Sequence, residues 1–279
     1  MKIAVVGGGG VGGYLAAKLS QVCDVDLISS STKELILIEN GQPQKVELPI
    51  YSTPPRGTIY DGVIFAVKSF VLEEAAKKML PHIDEHTLIL PLLNGIEPYH
   101  QLKKLLPKGK LLKGAIYIIS NKTPRGIEVK GKGAMVVSEP SELAECLERA
   151  GIKVKTPKDI DKAIWQKYLF IAATAALTTL YDADFGTISS EHLNEFRELL
   201  EEIVHIAQLK GIELTQEDIQ RAMELLQKSP PHSKTSMQLD FEKGNCGELE
   251  NLIGFLAKNS PKMDFIHQKL LEKCKSTQI

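Results

Sequence analysis

Short apolar runs alternate with amphipathic stretches over the first 157 residues, and long helical periods fill the rest of the chain. Ile3 to Val6 is an unbroken apolar run of the kind a strand buried on both faces needs, and Tyr14 to Leu19 begins an apolar-rich helix. Val25-Asp26-Leu27-Ile28 predicts a second strand. Ser31 and Glu34 fit a capping box for a helix over 32–40, which Gly41 would end. A strand over 61–67, a helix over 69–80 stopped by Pro81, and a strand over 87–92 running into Leu93-Asn94-Gly95 continue the alternation. Residues 111–137 are rich in β-formers with glycines at 126, 131 and 133, which predicts antiparallel edge strands completing the domain. Ser138-Glu139-Pro140 opens a helix to Ala150, and 152–155 reads as a closing strand.

Beyond Pro157 helices are expected over 158–180, 188–210, 215–228, 236–243, 245–259 and 261–275. Thr215 and Asp218 cap the third, Pro230-Pro231 breaks the chain before the fourth, and Pro261 opens the last. The pattern predicts an α/β protein with an N-terminal doubly wound domain over 1–157 and a C-terminal all-helical domain over 158–279.

The join between the first strand and the first helix carries the first chemistry. Gly7, Gly9 and Gly12 have the G-x-G-x-x-G spacing of a dinucleotide-binding turn, and Gly8, Gly10 and Val11 complete its backbone. Glycines there allow a tight turn and a close approach of pyrophosphate to the backbone, with the helix amides and dipole facing the phosphates. This makes the first domain Rossmann-type. About 20 residues past such glycines an Asp or Glu would bond the ribose of NAD. Here the chain has Ser29-Ser30-Ser31 followed by Lys33, and Asp26 lies too early in the strand to serve. Ser30 and Ser31 at that place favour NADP as cofactor; Ser31 would also cap the helix over 32–40.

Composition narrows the rest. With 34 basic and 35 acidic residues the net charge is −1, so nothing favours nucleic acid or a membrane surface as partner. No apolar run reaches a membrane span, and the chain opens directly on a strand, so a cytoplasmic protein is expected. Cys23, Cys146, Cys246 and Cys274 are scattered without a C-x-x-C pair, which argues against structural zinc and a disulfide framework. His82 and His86 read as a solvated turn, and no metal site is expected.

Within the apolar helix over 158–180, Lys167 is the anomaly. A buried ammonium loses hydration, its pKa falls toward neutrality, and it becomes suited to donating a proton to a ketone oxygen. A lysine that snorkels to the rim of a helix crossing would fit the same pattern. Ser236 and Glu248 flank a stretch broken by Gly244 and Gly247 that could fold back and offer both to one cleft. Read alone, Ser236 is a helix cap and Glu248 a solvated first-turn acid.

The glycine turn, Val67-Lys68-Ser69, Leu93-Asn94-Gly95, Trp165-Gln166-Lys167, Thr235-Ser236-Met237 and the stretch from Glu248 to Gly254 occur in order over the whole chain. Together they resemble the ketopantoate reductase (2-dehydropantoate 2-reductase) family of the 6-phosphogluconate-dehydrogenase-like superfamily. The resemblance implies NADPH-dependent reduction of a 2-oxo acid to a 2-hydroxy acid, as in pantothenate biosynthesis. It places the general acid on Lys167 and a carboxylate at the nicotinamide end of the cofactor on Glu248. It puts Lys68 and Asn94 beside cofactor and substrate, a backbone cofactor contact at Ile119, and a substrate-binding serine at Ser236. The 2-oxo acid would dock between Asn94, Lys167 and Ser236. A homodimer is compatible with the sequence.

The chain departs from the family pattern at three amide positions, which here hold Ile171, Ala175 and Phe185, and the arginine usual after the second strand is Ser30. Thr174 and Thr178 lie within roughly 20° of Lys167 around the helix, and Thr174 is extra to the pattern. These changes predict a less polar or bulkier 2-oxo acid, with Thr174 supplying some polarity. Two alternatives stand beside this reading: an NADP(H)-binding redox sensor without turnover, and a 3-hydroxyacid or opine dehydrogenase of the same superfamily.

Overall fold

The structure, a computed structural model, describes residues 1–277. It divides into two compact units, one of Met1–Asn94 with Pro98–Ile160, the other of Gly95–Glu97 with the chain from Asp161 on.

The first unit holds two sheets. One is built from β1 (Lys2–Val6), β2 (Asp24–Ile28), β5 (Ile50–Tyr51), β6 (Gly62–Phe65), β7 (Leu88–Pro91) and β8 (Lys110–Leu111). Its order is β5-β2-β1-β6-β7-β8, and every pairing is parallel. Side chains alternate across β1: Ile3 and Val5 enter one core cluster, Ala4 and Val6 the other, so the sheet is covered on both faces. The helices of this unit are α1 (Gly10–Leu19), α2 (Leu72–Met79), α3 (Glu97–Leu105) and α4 (Glu142–Arg149). The N-cap of α4 is Ser141, whose hydroxyl accepts from the Ala144 amide. Strand order reverses beside β1, so the carboxyl end of β1, where the glycines lie, is the switch point at which such sheets bind ligands.

The second sheet corrects two expectations. Residues over 32–40 do not form a capped helix; they give β3 (Leu35–Glu39), which pairs with β4 (Gln42–Val46) in an antiparallel hairpin. Asn40 and Gly41 both have positive φ, 51° and 76°, the two-residue turn that an Asn-Gly pair favours between strands. The expected edge strands exist as β9 (Gly114–Thr123) and β10 (Gly126–Ser138), yet they join this other sheet. There β10 pairs antiparallel with β9 and parallel with both β3 and β11 (Lys153–Lys155). The register between β9 and β10 shifts between Lys130 and Met135, where Gly131 and Gly133 have positive φ.

The second unit is helical: α5 (Ile160–Tyr181), α6 (Phe185–Glu191), α7 (Leu193–Leu209), α8 (Gln216–Lys228), α9 (Ser236–Phe241), α10 (Phe255–Ala257) and α11 (Pro261–Thr277). The helix expected over 188–210 is two helices that meet at His192. The helix expected over 245–259 shrinks to a π-helical turn, Glu250–Gly254, leading into α10. The predicted Thr215–Asp218 capping box opens α8. Cys246 and Cys274 form a disulfide, a pairing their spacing did not suggest, because α11 folds back on the segment before the π-helical turn. His82 is also not solvated: its ring is buried and its Nδ1 lies 2.8 Å from the Thr58 carbonyl oxygen. The fold is thus α/β, a Rossmann-type sheet unit followed by a helical one. Among the described residues no helix is long and apolar enough to cross a membrane, and no group of three His, Cys, Asp or Glu could hold a metal.

Candidate active site

The glycine turn has the shape its spacing predicts. Gly7 sits at φ 115° and donates to the Ile28 carbonyl at 2.9 Å, joining the turn to the end of β2. A Cβ on Gly12 would stand 1.9 Å from the Gly7 carbonyl oxygen, so only glycine lets α1 start this close to β1. Above Gly9, by contrast, there is open space. No side chain caps α1, and its first turn carries no acid, so its leading amides suit an anion. Gly8 lies beside Ser29 and Thr32, Gly10 beside the Ser120 carbonyl of β9, and Val11 packs on the core. A dinucleotide phosphate fits this cradle.

Other residues of the first unit take varied places. Lys68 is exposed and precedes a 3-10 turn, Ser69–Val71, that leads into α2. Asn94 is half-buried just past β7. Ile119 lies on β9 opposite Lys130 of β10, with its side chain 63% exposed. Ser30 and Ser31 are exposed beyond β2. Asp26 is buried and accepts from the Tyr60 hydroxyl at 2.7 Å, with Lys2 Nζ at 3.5 Å. Its carboxylate is therefore committed inside the unit. Ser120 and Lys122 escaped the sequence reading, because nothing in spacing reveals which residues of β9 meet the turn. Ser120 Oγ is buried without a hydrogen bond among the described residues.

In the second unit the Trp165-Gln166-Lys167 motif resolves into three jobs. Trp165 packs edge-on against Tyr168 and Phe255, with ring centroids 5.6 and 6.1 Å away. Gln166 donates to Asp218 at 2.7 Å, fastening α5 to the cap of α8. Lys167 is buried in a helix that is apolar almost all round, and desolvation pushes its pKa from 10.5 down to about 8. The next residue ties α5 to the segment of Glu248. Tyr168 donates its hydroxyl to the Leu252 carbonyl at 2.7 Å, and the Leu252 amide donates to the Glu248 carbonyl at 3.0 Å. Glu248 is buried, not the solvated acid of the isolated reading.

Ser236 is exposed at the first position of α9, and the cap is its neighbour Thr235, which accepts from the Gln238 amide. Thr235 and Thr178 hydroxyls lie 2.9 Å apart, which anchors the start of α9 to α5. Thr174 spends its proton on its own helix, donating to the Phe170 carbonyl at 2.7 Å, so it offers lone pairs only. Ala175 is buried, while Ile171 and Phe185 are half-buried, and Phe170 stands edge-on to Phe185 at 6.1 Å. Gln238, also unforeseen, is buried with neither amide atom bonded among the described residues.

A glycine cradle on a parallel sheet and a buried lysine on a helical unit can be compared with known proteins. Two models, described as ketopantoate reductase PanE/ApbA and its C-terminal part, match residues 3–142 and 159–265. The chain belongs to the ketopantoate reductase family. Oxidoreductase YkpB of Bacillus subtilis (strain 168) is 30% identical, covering 94% of this chain and 93% of its own. A 2-dehydropantoate 2-reductase of Mycobacterium tuberculosis (strain ATCC 25618 / H37Rv) is 26% identical over 85% of this chain and 83% of its own. Among solved structures, a PanE/ApbA family ketopantoate reductase from Ralstonia eutropha JMP134 aligns with a TM-score of 0.90, at 25% identity over all of both chains. The D-mandelate dehydrogenase solved with NADH and anilino(oxo)acetate has the same fold, with a TM-score of 0.91 at 21% identity over all of both chains. Membership in this oxidoreductase family agrees with the resemblance drawn from the ordered motifs.

Proposed function

We propose that this ketopantoate reductase family member is an NADPH-dependent reductase of a 2-oxo acid, working in the cytoplasm with a homodimer as its expected assembly. Residues 1–157 hold the dinucleotide and contribute Asn94 to the substrate, and residues 158–279 supply Lys167, Glu248, Thr174 and Ser236. The observation that carries the reading is Lys167, a buried ammonium whose pKa falls to about 8. Such a group is protonated at neutral pH yet releases its proton more readily than a solvated lysine, as a general acid should.

The cofactor, when bound, supplies a hydride to the carbonyl carbon. Lys167 donates a proton to the carbonyl oxygen as negative charge develops there, leaving a 2-hydroxy acid. Glu248 orients the cofactor's ribose. The backbone of Gly7, Gly8, Gly9, Gly10, Val11 and Gly12 cradles the pyrophosphate, Ser30 and Ser31 face the ribose 2′ position, and Lys68 and Ile119 line the cofactor. Asn94 and Ser236 hold the substrate carboxylate, and Thr174, whose own proton goes to the Phe170 carbonyl, can accept only from a donor such as the hydroxyl of the 2-hydroxy acid product.

With Ile171, Ala175 and Phe185 at the family's amide positions, a hydroxyl on the substrate would find apolar neighbours in place of three amide partners. A site without hydrogen-bonding groups gains from alkyl or aryl bulk instead. The substrate is thus a 2-oxo acid with an apolar side chain. NADPH consumption with ketopantoate, 2-oxoisovalerate and benzoylformate tests this, with kcat/KM expected to be highest for an apolar acid. A clear preference for ketopantoate would refute the substrate class. Lys167→Ala is expected to lower kcat more than ~100-fold while NADPH titration by fluorescence stays unchanged. Wild-type turnover in that variant would remove Lys167 from the mechanism.

A further inference from the structure

Where an NAD enzyme carries an acid after its second strand, this chain carries hydroxyls, and a cation arrives there from another part of the chain. Lys122 is on β9, opposite Ile127 of β10. Its Nζ donates to Thr32 Oγ1 at 2.8 Å and to the Ser31 carbonyl at 3.1 Å, with Ser31 Oγ at 3.4 Å. Thr32 Oγ1 in turn accepts from Ser29 Oγ at 3.1 Å and donates to the Gly8 carbonyl at 3.2 Å. One short chain of hydrogen bonds therefore links the ammonium to the glycine turn itself.

We infer that Lys122 is the specificity-determining residue for the 2′-phosphate of the cofactor, an inference that rests on the NADP reading above. Its present partners are neutral oxygens on Ser31 and Thr32, so a phosphate carrying close to two negative charges is a better partner than those it holds. Lys122 is exposed and its stem is flexible, so the head can pivot onto an anion beside Ser30 and Ser31 without moving the backbone. A Cβ at Gly8 would come 2.1 Å from Thr32 Oγ1, so a side chain there would displace the hydroxyl that holds the ammonium. Lys122 thus takes the place of the family's arginine after the second strand, which is Ser30 here, from a strand on the other side of the turn.

Calorimetric titration of the whole protein with 2′,5′-ADP and with 5′-ADP separates the 2′-phosphate from the rest of the nucleotide without relying on turnover. The wild type should bind 2′,5′-ADP at least tenfold more tightly, and that advantage should shrink as salt rises. Lys122→Ala and Lys122→Gln should erase the advantage while leaving 5′-ADP binding within twofold, and Lys122→Arg should keep most of it. An alanine variant with the wild-type advantage would overturn the role of Lys122 and leave the NADP preference standing. A wild type that binds both probes equally would overturn the NADP preference and the inference together. Loss of both probes in the alanine and glutamine variants would show that Lys122 only props up the turn, and would also overturn it.

Discussion

A lysine folded into an apolar helix sits below its solution pKa because its charged form loses water, and for Lys167 the fall is from 10.5 to about 8. Two pH dependences follow, of opposite sense. On the role proposed for Lys167, reduction needs its protonated form, so kcat should be flat below pH 8 and decline above it; a pH profile of NADPH consumption checks this. Stability behaves otherwise. Between about pH 8 and 10.5 the unfolded chain keeps a proton on this residue that the native protein has lost, so the native state gains as pH rises through that window. Below it the full cost of burial, roughly 3 kcal/mol, is present. Urea midpoints should rise from pH 7.5 to 10 in the wild type relative to Lys167→Met, which has no charge to bury. Lys167 was legible in the sequence because a charge inside an apolar run stands out. Lys122 and Ser120 were not, since their place beside the glycine turn depends on strand register across the β9–β10 hairpin.

At the level of elements, local signals competed at residues 31–46. Ser31 and Glu34 have the spacing of a capping box, yet Asn40-Gly41 is a hairpin turn, and β3 pairs with both β4 and β10. Two sets of ladder hydrogen bonds and the burial of Leu35 and Leu37 outweigh a cap that contributes about 1 kcal/mol. The disulfide was illegible for a related reason: Cys246 and Cys274 are 28 residues apart and meet only when α11 packs back. Because Cys246 lies two residues before Glu248, this bond fixes the segment that carries the acid. Cys274→Ser should lower stability by about 2–4 kcal/mol under oxidising conditions. With dithiothreitol present, the melting temperatures of variant and wild type should converge.

Over the whole molecule, the strand–helix alternation outside residues 32–46 and the helical character of the chain beyond residue 157 were readable from periodicity and glycine placement. The split of the β-strands into two sheets was not, because it depends on the long-range pairings of β10. Cofactor binding should register globally. On the proposed cofactor preference, NADPH at a hundred times its dissociation constant should add about 2.7 kcal/mol to stability, which raises Tm by roughly 4–5 °C in a chain of this size. NADH at the same concentration should raise it less, and differential scanning fluorimetry compares the two. The division into units also has a consequence for anyone cutting the protein apart. Ile96 precedes α3 by one position in sequence but is a core member of the helical unit. A fragment beginning at residue 161 would leave that unit with a hole where an isoleucine belongs, so severing the chain at its apparent seam would damage the helical piece.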